Sequence, residues 1–172
     1  MIGRGFEFAA PHAGVGIRRR PPSENGIFGI EVSGARVLDT HAWVWWVDRD
    51  RRLGEPTIAR LDTLPADNRP YLCDISLWEV ATLVERGRLA FSVPLAEWLE
   101  AAAHPRSVRL VPITPAIAAE TAALPATFHR DPADRVIVAT CRVMQLPLLT
   151  KDRLIMRSAL IARWVPVGAS RQ

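Results

Sequence analysis

The chain has 172 residues, of which 49% are apolar and 23% are charged. This length and composition predict one folded domain with a full hydrophobic core, and they exclude an intrinsically disordered chain. No apolar run reaches the roughly 18 residues that a membrane-spanning helix needs, so no membrane association is expected. The net charge of +4 favours a polyanionic partner such as nucleic acid, although many proteins carry such an excess without binding one.

The cysteines and histidines do not suggest a zinc site or a disulfide framework. Cys73 and Cys141 lie far apart in apolar surroundings, which predicts buried, reduced thiols and a cytoplasmic protein. The four histidines are scattered along the chain, which disfavours a histidine-based metal site. An arginine run at 18–20 is followed by the polar stretch "PPSENG", so export by a twin-arginine signal is not expected.

Residues 1–34 differ in composition from the rest of the chain. They hold seven glycines and the arginine run, without sustained apolar periodicity. This predicts a mobile or non-core N-terminal extension, with a short extended piece at "GIFGIEV". The alternative is an artefact of a start codon placed too far upstream. The folded domain is expected to span residues 35–172.

From residue 35 onward, short apolar runs alternate with helical patterns. The runs predict strands at 35–38, 71–76, 108–113 and 146–150, and a closing edge strand at 162–167. The patterns between them predict helices at 41–48, 56–65, 76–87, 94–103, 115–124, 132–145 and 151–160. Strands separated by helices imply an α/β domain with a mainly parallel sheet and helices on both faces.

Four acidic residues follow strands or open helices, and each has an ordinary structural explanation. Asp39 suits a helix N-cap, and the "SLWE" stretch from Ser76 to Glu79 matches a capping box. Asp134 stands in the first turn of a helix after Asp131 and Pro132, and Asp152 also suits a first turn. Considered one at a time, each of these acids is better explained as a helix cap than as a metal ligand or catalytic group.

The shared position of the four acids favours a metal site instead. The carboxyl ends of parallel strands meet at one edge of a sheet, so these side chains are expected to converge there. Packed carboxylates repel one another unless a cation intervenes, and Mg²⁺ or Mn²⁺ prefers such oxygen ligands. Such an ion would orient a phosphodiester and activate a water, and an acidic pocket on a basic protein suits a metal-dependent nuclease.

Four segments of the chain resemble a known family. The stretches "VLDTHAWVWW", "ISLWEVATLVERGRL", "HRDPADRVIVATC" and "LLTKDRLI" occur in an order and at intervals similar to those of PIN-domain ribonucleases, specifically the VapC-type toxins of toxin–antitoxin pairs. The resemblance covers residues 36–166 and leaves only the N-terminal extension outside. It implies a three-layer α/β/α sandwich with a mainly parallel central sheet.

The resemblance also implies an activity and a set of site residues. Asp39, Glu79, Asp134 and Asp152 occupy the acidic positions of the family, and Thr150 occupies its small hydroxyl position. The implied activity is endonucleolytic cleavage of RNA that depends on Mg²⁺ or Mn²⁺, with inhibition by a cognate antitoxin and frequent homodimerisation. The mechanistic hypothesis is that Asp39, Asp134 and Asp152 contact or closely surround the metal ion. Glu79 would bind it directly or through water and take a proton from the attacking water.

Other residues near these motifs allow two interpretations. Asp131 is expected to be a plain N-cap, with an outer role at the site as the alternative. Arg130, Arg135 and Arg153 are candidates for RNA-phosphate contacts, but salt-bridge partners are an equal possibility. Trp43 and Trp46 are expected on the core face of a helix and Trp45 on another, available to a partner. Trp78 and Trp98 are expected in the core.

Two rival functions stay open at this point. The first is a phosphatase that uses Asp39 as nucleophile, which usually requires an acid two residues later, where this chain has His41. The second is a non-catalytic protein-binding module whose acids only cap helices. This second rival predicts neither cleavage nor stabilisation by a metal.

Overall fold

The computed structural model describes residues 35–165, which form a four-stranded sheet flanked by helices. The strands are β1 (Val37–Leu38), β2 (Tyr71–Cys73), β3 (Arg109–Val111) and β4 (Leu148–Leu149). The helices are α1 (Thr40–Val47), α2 (Glu55–Asp62), α3 (Ile75–Glu85), α4 (Leu95–Ala102), α5 (Pro115–Ala123), α6 (Pro132–Met144) and α7 (Arg153–Arg157). A short 3₁₀ turn, which the sequence did not predict, spans Ala66–Asn68.

All strand pairs of the sheet are parallel, and the strand order is β3-β2-β1-β4. The chain builds outward from β1 to β3 and then returns to place β4 on the other side of β1. This reversal makes the gap between β1 and β4 a topological switch point, where open α/β sheets bind their ligands. In the register of the sheet, Leu38 lies beside both Leu72 and Leu149.

Alternating side chains of the strands face two separate groups of helices, as the pleat of a strand requires. Leu38, Leu72 and Leu149 pack into one hydrophobic cluster with residues of α1, α2 and α4. Val37, Cys73 and Leu148 pack into a second cluster, which includes residues of α6 and α7. The predicted three-layer α/β/α architecture is therefore confirmed.

The tryptophans follow the expected burial only in part. Trp43 is completely buried, and its indole Nε1 donates to the carbonyl oxygen of Ala102 at 3.2 Å. Trp98 is also in the core, but the prediction for Trp78 was wrong, because this side chain is 55% exposed on the solvent side of α3. Trp45 is half-buried beneath the Arg52 guanidinium, so it is less available than expected.

The structure also bears on the predictions for the cysteines and for the two ends of the chain. Cys73 and Cys141 are buried free thiols, as predicted. The closing strand was wrong over residues 162–165, where only an isolated bridge joins Arg163 to Leu148, and the rest of it lies outside the described residues. The expected extension at 1–34 also lies outside them and stays a prediction. Within residues 35–165, every helix is too short or too polar to cross a membrane.

Candidate active site

Asp39 immediately follows β1 and does not cap the helix that it precedes. The side chain makes no capping hydrogen bond to α1, although its backbone occupies the N-cap position. Its Oδ2 instead accepts a hydrogen bond of 2.6 Å from the Thr150 hydroxyl, which follows β4. The Thr150 oxygen in turn accepts from the backbone N–H of Asp152 at 2.9 Å. A chain of hydrogen bonds therefore crosses the switch point, and the capping explanation for Asp39 was wrong.

Glu79 lies on α3, two residues further into the helix than the capping-box explanation placed it. Helix α3 begins at Ile75 with Asp74 as its N-cap, so Ser76 is already inside the helix. The Ser76 hydroxyl accepts from the Thr40 hydroxyl at 2.9 Å instead of capping. Among the described residues, the buried Oε2 of Glu79 has no hydrogen-bond partner. The capping box was therefore wrong, and Glu79 carries a buried oxygen that the fold does not use.

Asp131 and Asp152 do cap helices. Asp131 Oδ1 accepts from the backbone N–H groups of Ala133 and Asp134, at 3.0 and 3.3 Å, and so caps α6 as expected. Asp152 Oδ1 accepts from the N–H groups of Leu154 and Ile155, at 2.6 and 3.0 Å, and so caps α7. Each cap uses one carboxylate oxygen, so within residues 35–165 the second oxygen is free for another contact.

Asp134 lies at the centre of the charges at this edge of the sheet. Burial raises its pKa to about 8, and repulsion from Asp39, Asp131, Glu79 and Asp152 contributes to the same increase. Burial also raises the pKa of Glu79, with a contribution from Asp39. The structure thus brings five carboxylates together at the switch point, and we call them the acidic cluster: Asp39, Glu79, Asp131, Asp134 and Asp152.

The pKa of Asp39 reflects opposing influences. Burial raises it, because the side chain is only 2% exposed, and the charge of Asp152 adds to the increase. The hydrogen bond from Thr150 and the nearby His41 act in the opposite direction and favour the ionised form. Thr150 therefore helps to keep a buried carboxylate ionised, which is the form that binds a cation.

The acidic cluster offers the right atoms for a hard divalent cation but not a closed ligand set. Its donors are carboxylate oxygens, with the Thr150 hydroxyl beside them, and one buried oxygen of Glu79 is unpaired within residues 35–165. Within the same residues, no three His, Cys, Asp or Glu side chains lie close enough to form a complete metal cage. Such an arrangement fits Mg²⁺, which keeps several waters and takes few protein ligands.

The basic residues near the cluster differ in their availability. Arg130 and Arg153 are exposed, and so is Lys151. The Arg135 guanidinium, in contrast, donates to the backbone carbonyls of His129 and Thr121, at 3.4 and 3.0 Å. These bonds favour a structural role for Arg135, so the exposed Arg130 and Arg153 are the better candidates for phosphate contacts.

His129 is a site residue that the sequence did not single out. Its Nε2 lies 3.4 Å from Asp134 Oδ2, and its side chain is 21% exposed. The ring also packs against Phe128, with centroids 4.3 Å apart. Its position five residues before Asp134, in the loop that leads into α6, was the one available signal. This separation of five residues did not by itself indicate that His129 would contact Asp134.

Comparisons with known proteins identify the family and the fold of this chain. The sequence model of the PIN domain family matches residues 36–159. The chain belongs to the PIN-domain family. This PIN domain is 38% identical over 117 residues to "Ribonuclease VapC22" of Mycobacterium tuberculosis, an alignment that covers 68% of this chain and 86% of that protein. The family that the sequence motifs suggested is therefore confirmed.

Two solved structures share the fold of this PIN domain. VapBC2 from Rickettsia felis, bound to a DNA fragment from its promoter, is 13% identical with a TM-score of 0.59, covering 76% of this chain and 97% of that one. FitAcB from Neisseria gonorrhoeae is 24% identical with a TM-score of 0.56, covering 76% and 96%. At these identities the likeness concerns the fold alone.

Proposed function

We propose that this PIN domain is an endoribonuclease that depends on Mg²⁺ or Mn²⁺ and acts as the toxin of a toxin–antitoxin pair. The observation that carries the proposal is the group of carboxylates around Asp134, which the fold gathers at the switch point and whose mutual repulsion and burial raise the pKa of Asp134. The relative that is 38% identical is named a ribonuclease, which supports RNA as the substrate.

Asp39, Asp134 and Asp152 are the residues that would hold the ion, with Glu79 binding directly or through water. The Oε2 of Glu79, which has no hydrogen-bond partner in the described part of the chain, and the second oxygen of the Asp152 cap support this assignment. A divalent ion supplies charge that orients and polarises a phosphodiester, and it lowers the pKa of a bound water. Water and substrate phosphate oxygens would complete its coordination.

The side chains of the site have separate tasks in this proposal. Asp39 is held in one orientation by Thr150 Oγ1, and Thr150 is itself fixed by the N–H of Asp152. Glu79 is half-buried with a raised pKa, which suits a group that accepts a proton from the attacking water. The exposed Arg130 and Arg153 bind phosphates on either side of the scissile bond.

The rival binding module accounts for part of the site only. Asp131 and Asp152 cap helices, as that rival requires. Asp39 and Glu79 do not cap helices, so capping does not explain these two acids. The phosphatase rival still lacks a second acid two residues after Asp39, where His41 stands exposed. Both observations favour the nuclease.

The proposed partners are a cognate antitoxin and a second copy of this chain. The structural relatives include a toxin–antitoxin complex from Klebsiella pneumoniae, with a TM-score of 0.52, which supports an antitoxin partner. Trp78, next to Glu79 in sequence, exposes 55% of its surface and suits an interface with such a partner, because tryptophan is enriched in binding hot spots. The homodimer rests on the family resemblance.

The proposal is tested by incubating purified protein with total RNA and Mn²⁺ and mapping the RNA ends that appear. Wild type should cut internal phosphodiester bonds, and EDTA should abolish cutting. Asp39→Asn and Asp134→Ala should each lose at least about 100-fold in rate, the scale of a lost catalytic charge or proton transfer. Glu97→Gln, an exposed acid on α4, is the control for the loss of one carboxylate.

Circular dichroism and thermal melts would establish that each variant is folded. Cutting that continues in EDTA, or that Asp39→Asn retains at full rate, would overturn the assignment. A wild-type protein that binds Mn²⁺ without cutting any RNA would also overturn it. That result would direct attention to the phosphatase rival, for which a trapped phosphoenzyme is the decisive observation.

A further inference from the structure

A second feature lies beside the acidic cluster and has no part in the chemistry described so far. It is a cleft of about 250 Å³ between the loop that precedes α6 and the short helix α7. We call it the flanking cleft, and its lining includes Thr127, Phe128, His129, Leu154, Arg157 and Ser158.

The flanking cleft is tied to the acidic cluster through both of its walls. On one wall, His129 Nε2 lies 3.4 Å from Asp134 Oδ2. On the other wall, the backbone N–H of Leu154 donates to Asp152 Oδ1 at 2.6 Å. A group that occupies the cleft therefore sits next to whatever the carboxylates hold, within the reach of one nucleotide unit of an RNA strand.

The lining of the cleft combines an imidazole ring, an exposed apolar side chain and a guanidinium. The half-buried His129 ring packs against the buried Phe128 ring, with centroids 4.3 Å apart, and Leu154 on α7 is 57% exposed. Arg157 is exposed and forms no ion pair within residues 35–165. Proteins bind unpaired bases by stacking them on aromatic, histidine or arginine planes and by hydrogen bonds to their edges.

Helix α7 gives this wall a fixed position although it has only five residues. Ile155 is buried in the second hydrophobic cluster, and the Ser158 hydroxyl donates to its carbonyl oxygen at 2.7 Å. The same turn that buries Ile155 leaves Leu154 and Arg157 facing outward. The buried Ile155 therefore anchors the outward-facing Leu154 and Arg157 in place, as a binding wall requires.

We propose that the flanking cleft binds one unpaired nucleobase of the RNA, next to the phosphodiester that is cut, and so selects the cleavage sequence. This inference rests on the proposed function, because it assigns the recognition of the substrate of that same site. The base lies between the His129 ring, which Phe128 supports from the core, and the Leu154–Arg157 wall. The Thr127 hydroxyl and the Arg157 guanidinium are then available to its edge.

The experiment uses a single-stranded RNA with one mapped cleavage site and copies that carry an abasic nucleotide at each nearby position. In wild type, removing the recognised base should lower kcat/KM about 5-fold to 100-fold, the range for loss of one stacked base. Leu154→Ala and Arg157→Ala should lower kcat/KM on the intact RNA. They should lose most of the sensitivity to the abasic position. Arg88→Ala removes the same charge at an exposed position outside the cleft and should behave as wild type.

A binding experiment tests the flanking cleft independently of RNA cleavage. Nucleoside 5′-monophosphates are titrated into the Asp39→Asn protein and followed by NMR, with inorganic phosphate as the control for charge. Shifts confined to residues 125–129 and 154–160, and absent with phosphate alone, support the cleft. If wild type cuts no RNA, the proposed function fails. The NMR titration alone then tests whether the flanking cleft binds a nucleobase. Cleavage that ignores base removal at every position overturns the inference whatever the NMR result.

Discussion

The raised pKa of Asp134 predicts an unusual pH dependence of stability for the metal-free protein. An unfolded aspartate titrates near pH 3.9, whereas burial and four neighbouring carboxylates raise the folded pKa of Asp134 to about 8. Between these values the folded state holds a proton that the unfolded state has released. The free energy of unfolding should therefore fall as the pH rises from 5 to 8, which is the opposite of the usual contribution of an acid.

The size of this effect follows from the linkage of proton binding to folding. One proton held over three pH units corresponds to an upper limit of about 4 kcal/mol between pH 5 and 8. The Asp134 side chain is 19% exposed, so solvent screening reduces this to about 2 kcal/mol. Asp39 and Glu79, whose pKa values are also raised, contribute in the same direction. Asp50 and Asp62 have lowered pKa values, and their stabilisation is already constant above pH 5.

The assay is a series of thermal or urea melts in EDTA at pH values from 5 to 8. Wild type should lose about 8 °C in melting temperature across this range, at roughly 4 °C per kcal/mol for a domain of this size. Asp134→Asn should lose at least half of that dependence and should melt above wild type at pH 8. Glu97→Gln is the control for removal of one acid outside the cluster.

The stabilisation of the protein by Mn²⁺ provides a second test of the raised pKa of Asp134. A cation that binds the ionised carboxylates competes with protons, so its stabilisation of wild type should be larger at pH 8 than at pH 5. A wild-type melting temperature in EDTA that is flat or rises from pH 5 to 8 would refute the reasoning. If Asp134→Asn kept the full wild-type pH dependence of the melting temperature, a carboxylate other than Asp134 would be responsible for it.

Three further predictions concern single side chains. Thr150→Val removes the hydrogen bond that favours ionised Asp39, so the acid limb of the pH–rate profile should move to higher pH and the rate at pH 7 should fall about tenfold, whereas Thr150→Ser should retain both. Trp43→Ala should cost about 3 to 5 kcal/mol in a urea melt, while the exposed Trp78→Ala should stay within about 0.5 kcal/mol. Asp131→Ala should lose about 1 kcal/mol as a missing N-cap but retain RNA cleavage, so a loss of cleavage beyond about 100-fold would place Asp131 in the site.

The architecture could be predicted from the sequence because local patterns determine it. Apolar runs such as "ARVL" and "LPLLT" mark strands, and the stripe of α6 marks a core-facing helix, so the α/β class follows directly. The strand boundaries could not be predicted, since β1 and β4 have only two residues each and depend on pairing with their neighbours. The bridge at Arg163 depends on such a pairing in the same way.

The site could be predicted only in outline. The strand-end argument places Asp39 and Asp152 at one edge, but the same argument applies to Asp74, which follows β2 and is not among the acids that raise the pKa of Asp134. Side-chain direction decides which acids meet, and it depends on packing that the sequence does not state. The contact of His129 with Asp134 and the exposure of Trp78 depend on it as well.

The hydrogen bond between Thr150 and Asp39 is fixed by the register of the two central strands. Leu38 pairs with Leu149, and the N–H of Asp39 donates to the Leu149 carbonyl oxygen at 3.1 Å. The residues that follow this pair, Asp39 and Thr150, are therefore neighbours across the switch point. A slip of β4 by one residue would turn Leu149 away from its hydrophobic cluster and Thr150 towards the opposite face of the sheet, away from Asp39. The burial of Leu38 and Leu149 thus holds the site in place, so the free energy that stabilises the fold also positions the carboxylate.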